Sequence, residues 1–184
     1  MNEPITTTRR IYVASSWRCP DQPAVVQALR DAGHEVYDFR NPPEATGFAW
    51  SEIDPEWLDW TVDSYRDKLG HPRAVQGFTS DFDAMQWADT FVLVLPCGRS
   101  AHLELGWAVQ GKRTAILLSQ DKFEPELMYR MVDKLAVSLS EVVEWVGSAD
   151  AEPAPIALAG SDSDGMAYGS ATHPHRSPAG PALC

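Results

Sequence analysis

Thr90-Phe91-Val92-Leu93-Val94-Leu95-Pro96-Cys97-Gly98-Arg99-Ser100-Ala101-His102-Leu103-Glu104-Leu105-Gly106-Trp107 is the stretch that decides the fold. Its opening run, residues 90–95, is apolar apart from its first residue, the pattern of a strand buried on both faces of a parallel sheet. A polar turn follows at residues 96–100. The residues after it read as a helix with the Glu104 carboxylate in its first turn. In open parallel sheets ligands bind beyond the carboxyl ends of the strands, where such turns present backbone N–H groups and a helix N-terminus. Glu104 is therefore the first candidate for chemistry.

Working outward, Ile11-Tyr12-Val13-Ala14 reads as a short strand, followed by the polar loop Ser15-Ser16-Trp17-Arg18. Asp21 is placed to cap a helix with Pro23 in its first turn, Val25, Val26 and Leu29 on one face, and Gly33 as its stop. Residues 35–39 are a second strand, completing a right-handed parallel βαβ unit. Thr79-Ser80-Asp81 starts a helix through Ala88 that leads into the 90–95 strand. Gly111 ends the Glu104 helix, and residues 114–118 form a fourth strand. Residues 125–131 read as helix, 135–137 as a fifth strand, and 140–146 as a last helix with Val142, Val143 and Val146 inward. The expected architecture is α/β, a flavodoxin- or Rossmann-like doubly wound parallel five-stranded sheet in the order 2-1-3-4-5.

With 184 residues and 44% apolar content, the chain can bury one good core and hardly two. We expect one domain over residues 11–147, a flexible N-terminus over 1–10, and a disordered tail over 148–184. That tail is rich in Ala, Pro, Gly, Ser and His and cannot bury enough apolar surface to offset its ordering entropy. Residues 41–77 combine Pro42, Pro43, Pro55 and Pro72 with Trp50, Trp57, Trp60 and Tyr65. So aromatic a segment is expected to be an ordered Trp-rich insertion.

A net charge of −11 argues against a nucleic acid polymer as partner, although a locally positive pocket can still take a small anion. Cys19, Cys97 and Cys184 form no C-x-x-C pair, so neither a disulfide framework nor a zinc site is expected, and a reducing, cytoplasmic location is. Residues 1–10 carry no apolar signal segment and no stretch reaches transmembrane length, so no membrane association is expected. His34, His71 and His102 lack metal-ligand spacing, and His173 and His175 sit in the polar tail. No metal and no cofactor is expected. The absence of G-x-G-x-x-G, Walker and G-x-S-x-G motifs disfavours dinucleotide-dependent dehydrogenases, P-loop NTPases and α/β-hydrolases.

In the 2-1-3-4-5 order, the loop of residues 15–18 and the loop of residues 96–104 flank the topological switch point and face one crevice. They bring hydroxyls (Tyr12, Ser15, Ser16, Ser100), guanidinium groups (Arg18, Arg99) and Glu104 together with Asp81 and Asp83 at the preceding helix start. A carboxylate at a helix N-terminus is held ionised, as a nucleophile needs, and a second carboxyl beside it can serve as proton donor. Such a pair, about 5 Å apart, is the retaining scheme for cleaving a bond to a sugar carbon. Singly, each residue also has a plainer reading: Glu104 as a dipole partner, Asp81 and Asp83 as N-terminal charges, Ser15 and Ser16 as turn caps, Arg18 as a surface charge. Their convergence on one switch point favours the functional reading.

These residues carry a resemblance. Residues 11–18, Asp81 ahead of Ala88-Asp89, and His102-Leu103-Glu104-Leu105-Gly106-Trp107-Ala108 resemble the nucleoside 2-deoxyribosyltransferase superfamily, which includes 2′-deoxynucleoside 5′-phosphate N-hydrolases and cytidylate hydrolases. The resemblance implies that Glu104 attacks the anomeric carbon, that Tyr12 orients its carboxylate, and that Asp81 assists departure of the base. Ser15, Ser16, Trp17, Arg18, Asp83, Gly98, Arg99, Ser100 and His102, around the same crevice, are the candidate substrate-binding residues, and of these Ser16 and Arg18 match the loop that contacts the nucleotide in phosphate-recognising members. Gly98 stands where phosphate-recognising members carry a serine, with Arg99 or Ser100 as replacements. The implied ligand is a small nucleoside or nucleoside 5′-monophosphate, and the implied assembly is a homodimer, with Leu127, Met128 and Tyr129 offered for contact. Trp50, Trp57 or Trp60 would either stack on a base or pack the insertion onto the sheet. Hydrolase and transferase stay open, as do a TIR-like NAD hydrolase and a non-catalytic nucleotide-sensing module.

Overall fold

The computed structural model describes residues 7–43, 47–119 and 125–148. The expectations for residues 1–6 and 149–184, which cover most of the N-terminal segment and nearly all of the tail, lie outside the described residues. Five strands, β1 (Arg10–Ala14), β2 (Glu35–Tyr37), β3 (Thr90–Val94), β4 (Arg113–Leu117) and β5 (Lys134–Ala136), pair in parallel throughout in the order β2-β1-β3-β4-β5. This is the expected doubly wound α/β sheet.

Side chains of a strand alternate between faces, so the three inner strands are sorted into two cores. One face collects Tyr12, Ala14, Phe91, Leu93 and Ile116 under helices α3 (Pro72–Trp87) and α4 (Arg99–Ala108). The other collects Ile11, Val13, Val92, Val94 and Leu117 under α1 (Gln22–Asp31) and α5 (Leu139–Gly147). Each fully buried aliphatic or aromatic side chain contributes roughly 1.5–3 kcal/mol relative to exposure. Double burial explains why β3 reads as a nearly continuous apolar run, as does β4 from Ala115 onward.

Several boundaries differ from the sequence expectation, each for a local reason. β2 stops at Tyr37 because Asp38 starts a turn, its carbonyl accepting from the Asn41 N–H at 3.0 Å. Asp21 occupies the N-cap of α1 without a side-chain cap bond, whereas Gly33 does take the positive φ, 89°, that ends this helix. The helix expected over 125–131 is a 3-10 turn, Leu127–Met131. α5 begins at Leu139, because Ser138 and not Ser140 caps it, accepting from the Glu141 N–H at 3.3 Å.

The largest correction is α3. It does not start at Thr79 but at Pro72, which fills the first helical turn, where its missing N–H is no loss. The His71 side chain caps it, Nδ1 accepting from the Arg73 N–H at 3.2 Å. Asp81 therefore projects from the third turn of a 16-residue helix.

The described part of the 41–77 segment is ordered as expected, with 3-10 turns at Trp50–Glu52 and Trp57–Asp59, a helix α2 (Val62–Lys68) capped by Thr61, and the first turns of α3. Trp50 meets Phe48, Trp60 and Tyr65 edge-on, with ring centroids 4.8, 5.5 and 5.9 Å away. The Trp60 indole N–H donates to Asp54 at 2.7 Å. Among the described residues no helix is long and apolar enough to cross a membrane.

Candidate active site

A cleft of about 810 Å³ opens beyond the carboxyl ends of β1 and β3, at the switch point of the sheet. Tyr12, Ser15, Ser16, Trp17, Arg18, Asp81, Gly98, Arg99, Ser100 and Glu104 all line it. Of the site residues expected from sequence, Asp83 and His102 do not.

The first loop is tied by hydrogen bonds to β3 and to the turn that follows β2. The Ser15 hydroxyl donates to the Val94 carbonyl at 2.9 Å, and the Ser16 hydroxyl accepts from the Arg18 N–H at 3.2 Å. One terminal nitrogen of Arg40 donates to the carbonyls of Ser16, Trp17 and Cys19, at 2.8, 3.0 and 2.8 Å. Asp38 fixes the base of the Arg40 turn. Burial alone would raise its pKa, but hydrogen bonds from Asn41, Gln22 and the Arg40 N–H leave it below the usual carboxylate range.

Two carboxyls form the floor. Glu104 lies in the second turn of α4, and the first turn of that helix holds no acidic residue. The expectation that the helix dipole keeps Glu104 ionised is therefore overturned. Burial, joined by the charge of Asp81, pushes the Glu104 carboxyl up to about 7, against a smaller opposing effect of its hydrogen bond with Tyr12. Asp81 is also raised by burial, while the Tyr37 phenol, donating at 2.9 Å, acts the other way. Near neutral pH Glu104 is therefore close to its titration midpoint, beside a second carboxyl that burial also raises.

Two tyrosines serve this floor. Tyr12 is sandwiched between the rings of Tyr37 and Phe91, with centroids 5.4 and 5.1 Å away, which fixes the direction of its hydroxyl. Burial and the neighbouring carboxylates hold its pKa far above the ordinary phenol value, so Tyr12 stays neutral and can only share its proton by hydrogen bonding. Tyr37, also raised, bridges Asp81 and the Ser80 hydroxyl, the latter at 3.1 Å.

The walls differ in character. Trp17, Phe39, Phe48, Trp50 and Trp57 give an aromatic side, whereas Ser15, Ser16, Arg18, Arg99 and Ser100 give hydroxyls and guanidinium groups. Trp60 packs behind Trp50 and is not part of the lining. Gly47 is a necessary notch in the aromatic side, since a Cβ there would lie 2.5 Å from the Trp17 ring and 3.1 Å from the Phe39 carbonyl.

Asp83 is exposed, two residues beyond Asp81 and so turned away on the same helix. His102 lines a separate apolar cavity of about 160 Å³ with Leu105, Val109, Met128 and Tyr129. Its Nδ1 donates to the Gly98 carbonyl at 3.1 Å, so Nε2 accepts from the Tyr129 hydroxyl at 2.8 Å. Its neighbour Cys97 is a protonated thiol, pushed up to about 12 by burial first of all. Among the described residues no group of three His, Cys, Asp or Glu side chains is placed to hold a metal ion.

Tyr37, Phe39, Arg40 and Phe48 were missed by sequence reasoning. Only the strand alternation that puts Tyr37 on the Tyr12 face was available as a signal.

No protein-family model matches the chain, and no curated protein matches it. Among the solved structures similar to it are two enzymes. One is a 2-deoxyribosyltransferase from Bacillus psychrosaccharolyticus, 21% identical, with a TM-score of 0.49, over 72% of this chain and 89% of that one. The other is a CMP N-glycosidase from Clostridium botulinum, 16% identical, with a TM-score of 0.42, over 75% of this chain and 97% of that one. At this degree of likeness the chemistry of the cleft rests on its own side chains.

Proposed function

We propose that this chain is a nucleoside 2-deoxyribosyltransferase-like enzyme that cleaves or transfers the N-glycosidic bond of a nucleoside or nucleoside 5′-monophosphate. The observation that carries the reading is the half-buried Glu104–Asp81 pair, set between an aromatic wall and a hydroxyl and guanidinium wall. Burying two interacting carboxyls is unfavourable for folding, and such perturbed pairs cluster at catalytic sites. That favours catalysis over a purely sensing role.

In this mechanism ionised Glu104 attacks the anomeric carbon as the C–N bond breaks, and the bonding electrons leave with the base. Asp81 gives its proton to the departing base. The product is a glycosyl ester on Glu104, with Tyr12 orienting the attacking oxygen. A water or a second base then attacks the same carbon, its proton returns to Asp81, and Glu104 leaves as a carboxylate. The aromatic wall is suited to a planar base, and Ser16, Arg18, Arg99 and Ser100 to the sugar and any 5′-phosphate.

Assembly and location belong to the same proposal. Leu127 and Met128 are exposed beside α4, as a homodimer contact would require in the free chain, and light scattering reads the assembly directly. Cys19 and Cys97 are free thiols, in keeping with a reducing cytoplasm.

The deciding experiment incubates the purified protein with deoxynucleosides, ribonucleosides, their 5′-monophosphates and NAD, and follows released base. Base from a nucleoside or nucleotide, with the sugar's mass found on the Glu104 peptide, supports the proposal. Nicotinamide release from NAD alone would favour the TIR-like alternative, and release from nothing would refute catalysis.

A further inference from the structure

We infer that Arg73 is a positioning residue that holds the aromatic wall of the cleft in register with the helix carrying Asp81. Arg73 lines no part of the cleft; it stands behind the wall, in the first turn of α3. Its Nε donates to one Glu52 oxygen at 2.5 Å and a terminal nitrogen donates to the other at 3.1 Å, a two-point fork. The same terminal nitrogen donates to the Gly47 carbonyl at 2.8 Å, and the guanidinium lies over the Phe48 ring, 5.3 Å from its centroid. Both ends of the 47–52 segment, which contributes Phe48 and Trp50 to the lining, are thus attached to one side chain. Two further contacts seat the segment. Glu52 accepts from the Ala49 N–H at 2.8 Å, and Phe48 rests against Gly77, where a Cβ would come within 3.0 Å of it.

The consequence lies in what α3 carries at its other turns. Asp81 follows Arg73 by eight residues, about 12 Å along the same rigid helix. The surface that would contact a planar ring and the carboxyl that would protonate it are therefore referred to a single element. A wall fixed before the ligand arrives avoids the ordering cost of a mobile lid. Lysine cannot reproduce the arrangement, because it offers a point charge in place of a fork and a planar cation.

The inference rests on the proposed reading of the cleft only in taking a nucleobase as the wall's ligand. The test compares wild type with Arg73→Gln and Glu52→Gln, using adenosine and cytidine as binding probes followed by tryptophan fluorescence, and thermal melts to confirm folding. Turnover is measured in parallel on the best nucleoside and on ribosyl fluoride, which carries no base. We expect at least a tenfold weaker Kd and higher KM for nucleosides in Arg73→Gln, kcat within threefold, and ribosyl fluoride turnover unchanged. Glu52→Gln should show the same pattern at smaller size, and Arg73→Lys should not restore affinity. Unchanged nucleoside affinity in folded Arg73→Gln, or an equal loss on ribosyl fluoride, overturns the inference. Arg73-dependent binding without base release by wild type would refute the glycosidase proposal and leave this inference standing. Base release with Arg73-independent affinity does the reverse, and a wild-type protein that binds neither nucleoside overturns the inference alone.

Discussion

The Tyr37 hydroxyl donates to Asp81 at 2.9 Å, joining an edge strand of the sheet to the middle of α3. The bond opposes the effect of burial on Asp81, so the carboxyl is raised less than burial alone would raise it. Tyr37→Phe removes that support without emptying the ring's place in the Tyr12 stack. The acidic limb of the kcat/KM profile should move up by roughly one pH unit, the scale of one hydrogen bond to a charged group. An unmoved acidic limb would show that Asp81 does not titrate in the reaction.

The alkaline limb belongs to the shared proton. Glu104 is raised to about 7, so below that pH the pair retains one proton and above it loses it. With a natural base as leaving group, kcat/KM should fall above about pH 7, because no proton remains for the base. With an activated leaving group that needs no proton, the rate should hold or rise over the same range. Asp81→Asn should accordingly damage natural substrates far more than activated ones. Equal damage to both would remove Asp81 from the role of acid.

Stability carries the same signature with its sign fixed by linkage. Because the folded pKa of Glu104 is above the unfolded value near 4.5, the folded protein binds the extra proton between these two values. The stabilisation is complete below about pH 4.5 and is lost as pH rises through about 7. Glu104→Gln has no charge to bury, so it should be more stable than wild type above pH 7, by on the order of 3 kcal/mol at most. Melting curves at pH 5 and pH 8 test this, and activity should fall by at least about a thousandfold in the same variant. A tenth of wild-type activity remaining would exclude Glu104 as nucleophile.

Arg40→Met should weaken the first loop, since three carbonyls lose one shared donor. Roughly 1–3 kcal/mol of stability should go, together with several-fold in KM, while the alkaline limb near pH 7 stays in place. A displaced alkaline limb would mean that Arg40 acts on the carboxyl pair as well as on the loop.

Much of the sheet was legible because its inner strands are buried on both faces, which writes them into the sequence as apolar runs, and because parallel crossovers leave few strand orders. The cleft followed from that order, and Tyr12, Asp81 and Glu104 do line it. What stayed hidden depends on distant partners. Pro72 has the same local signature in a loop as at a helix start, so the local pattern alone assigns the first two turns of α3 to the insertion. The helix of Glu104 taken alone implies an ionised carboxylate, whereas burial and Asp81, 23 residues away, govern it. Arg40 and Arg73 look like ordinary surface cations until the carbonyls they hold are seen.

The Arg40 contacts bear on how this site can be moved or copied. The loop of residues 15–18 is short and looks portable, yet its shape is held by a residue from the next strand's exit, itself set by a buried aspartate. Grafting that loop onto a related sheet would transplant the hydroxyls and Trp17 but not the conformation that presents them. A working graft needs the Asp38–Arg40 turn as well, so the smallest transferable unit is the whole βαβ module from β1 to Arg40.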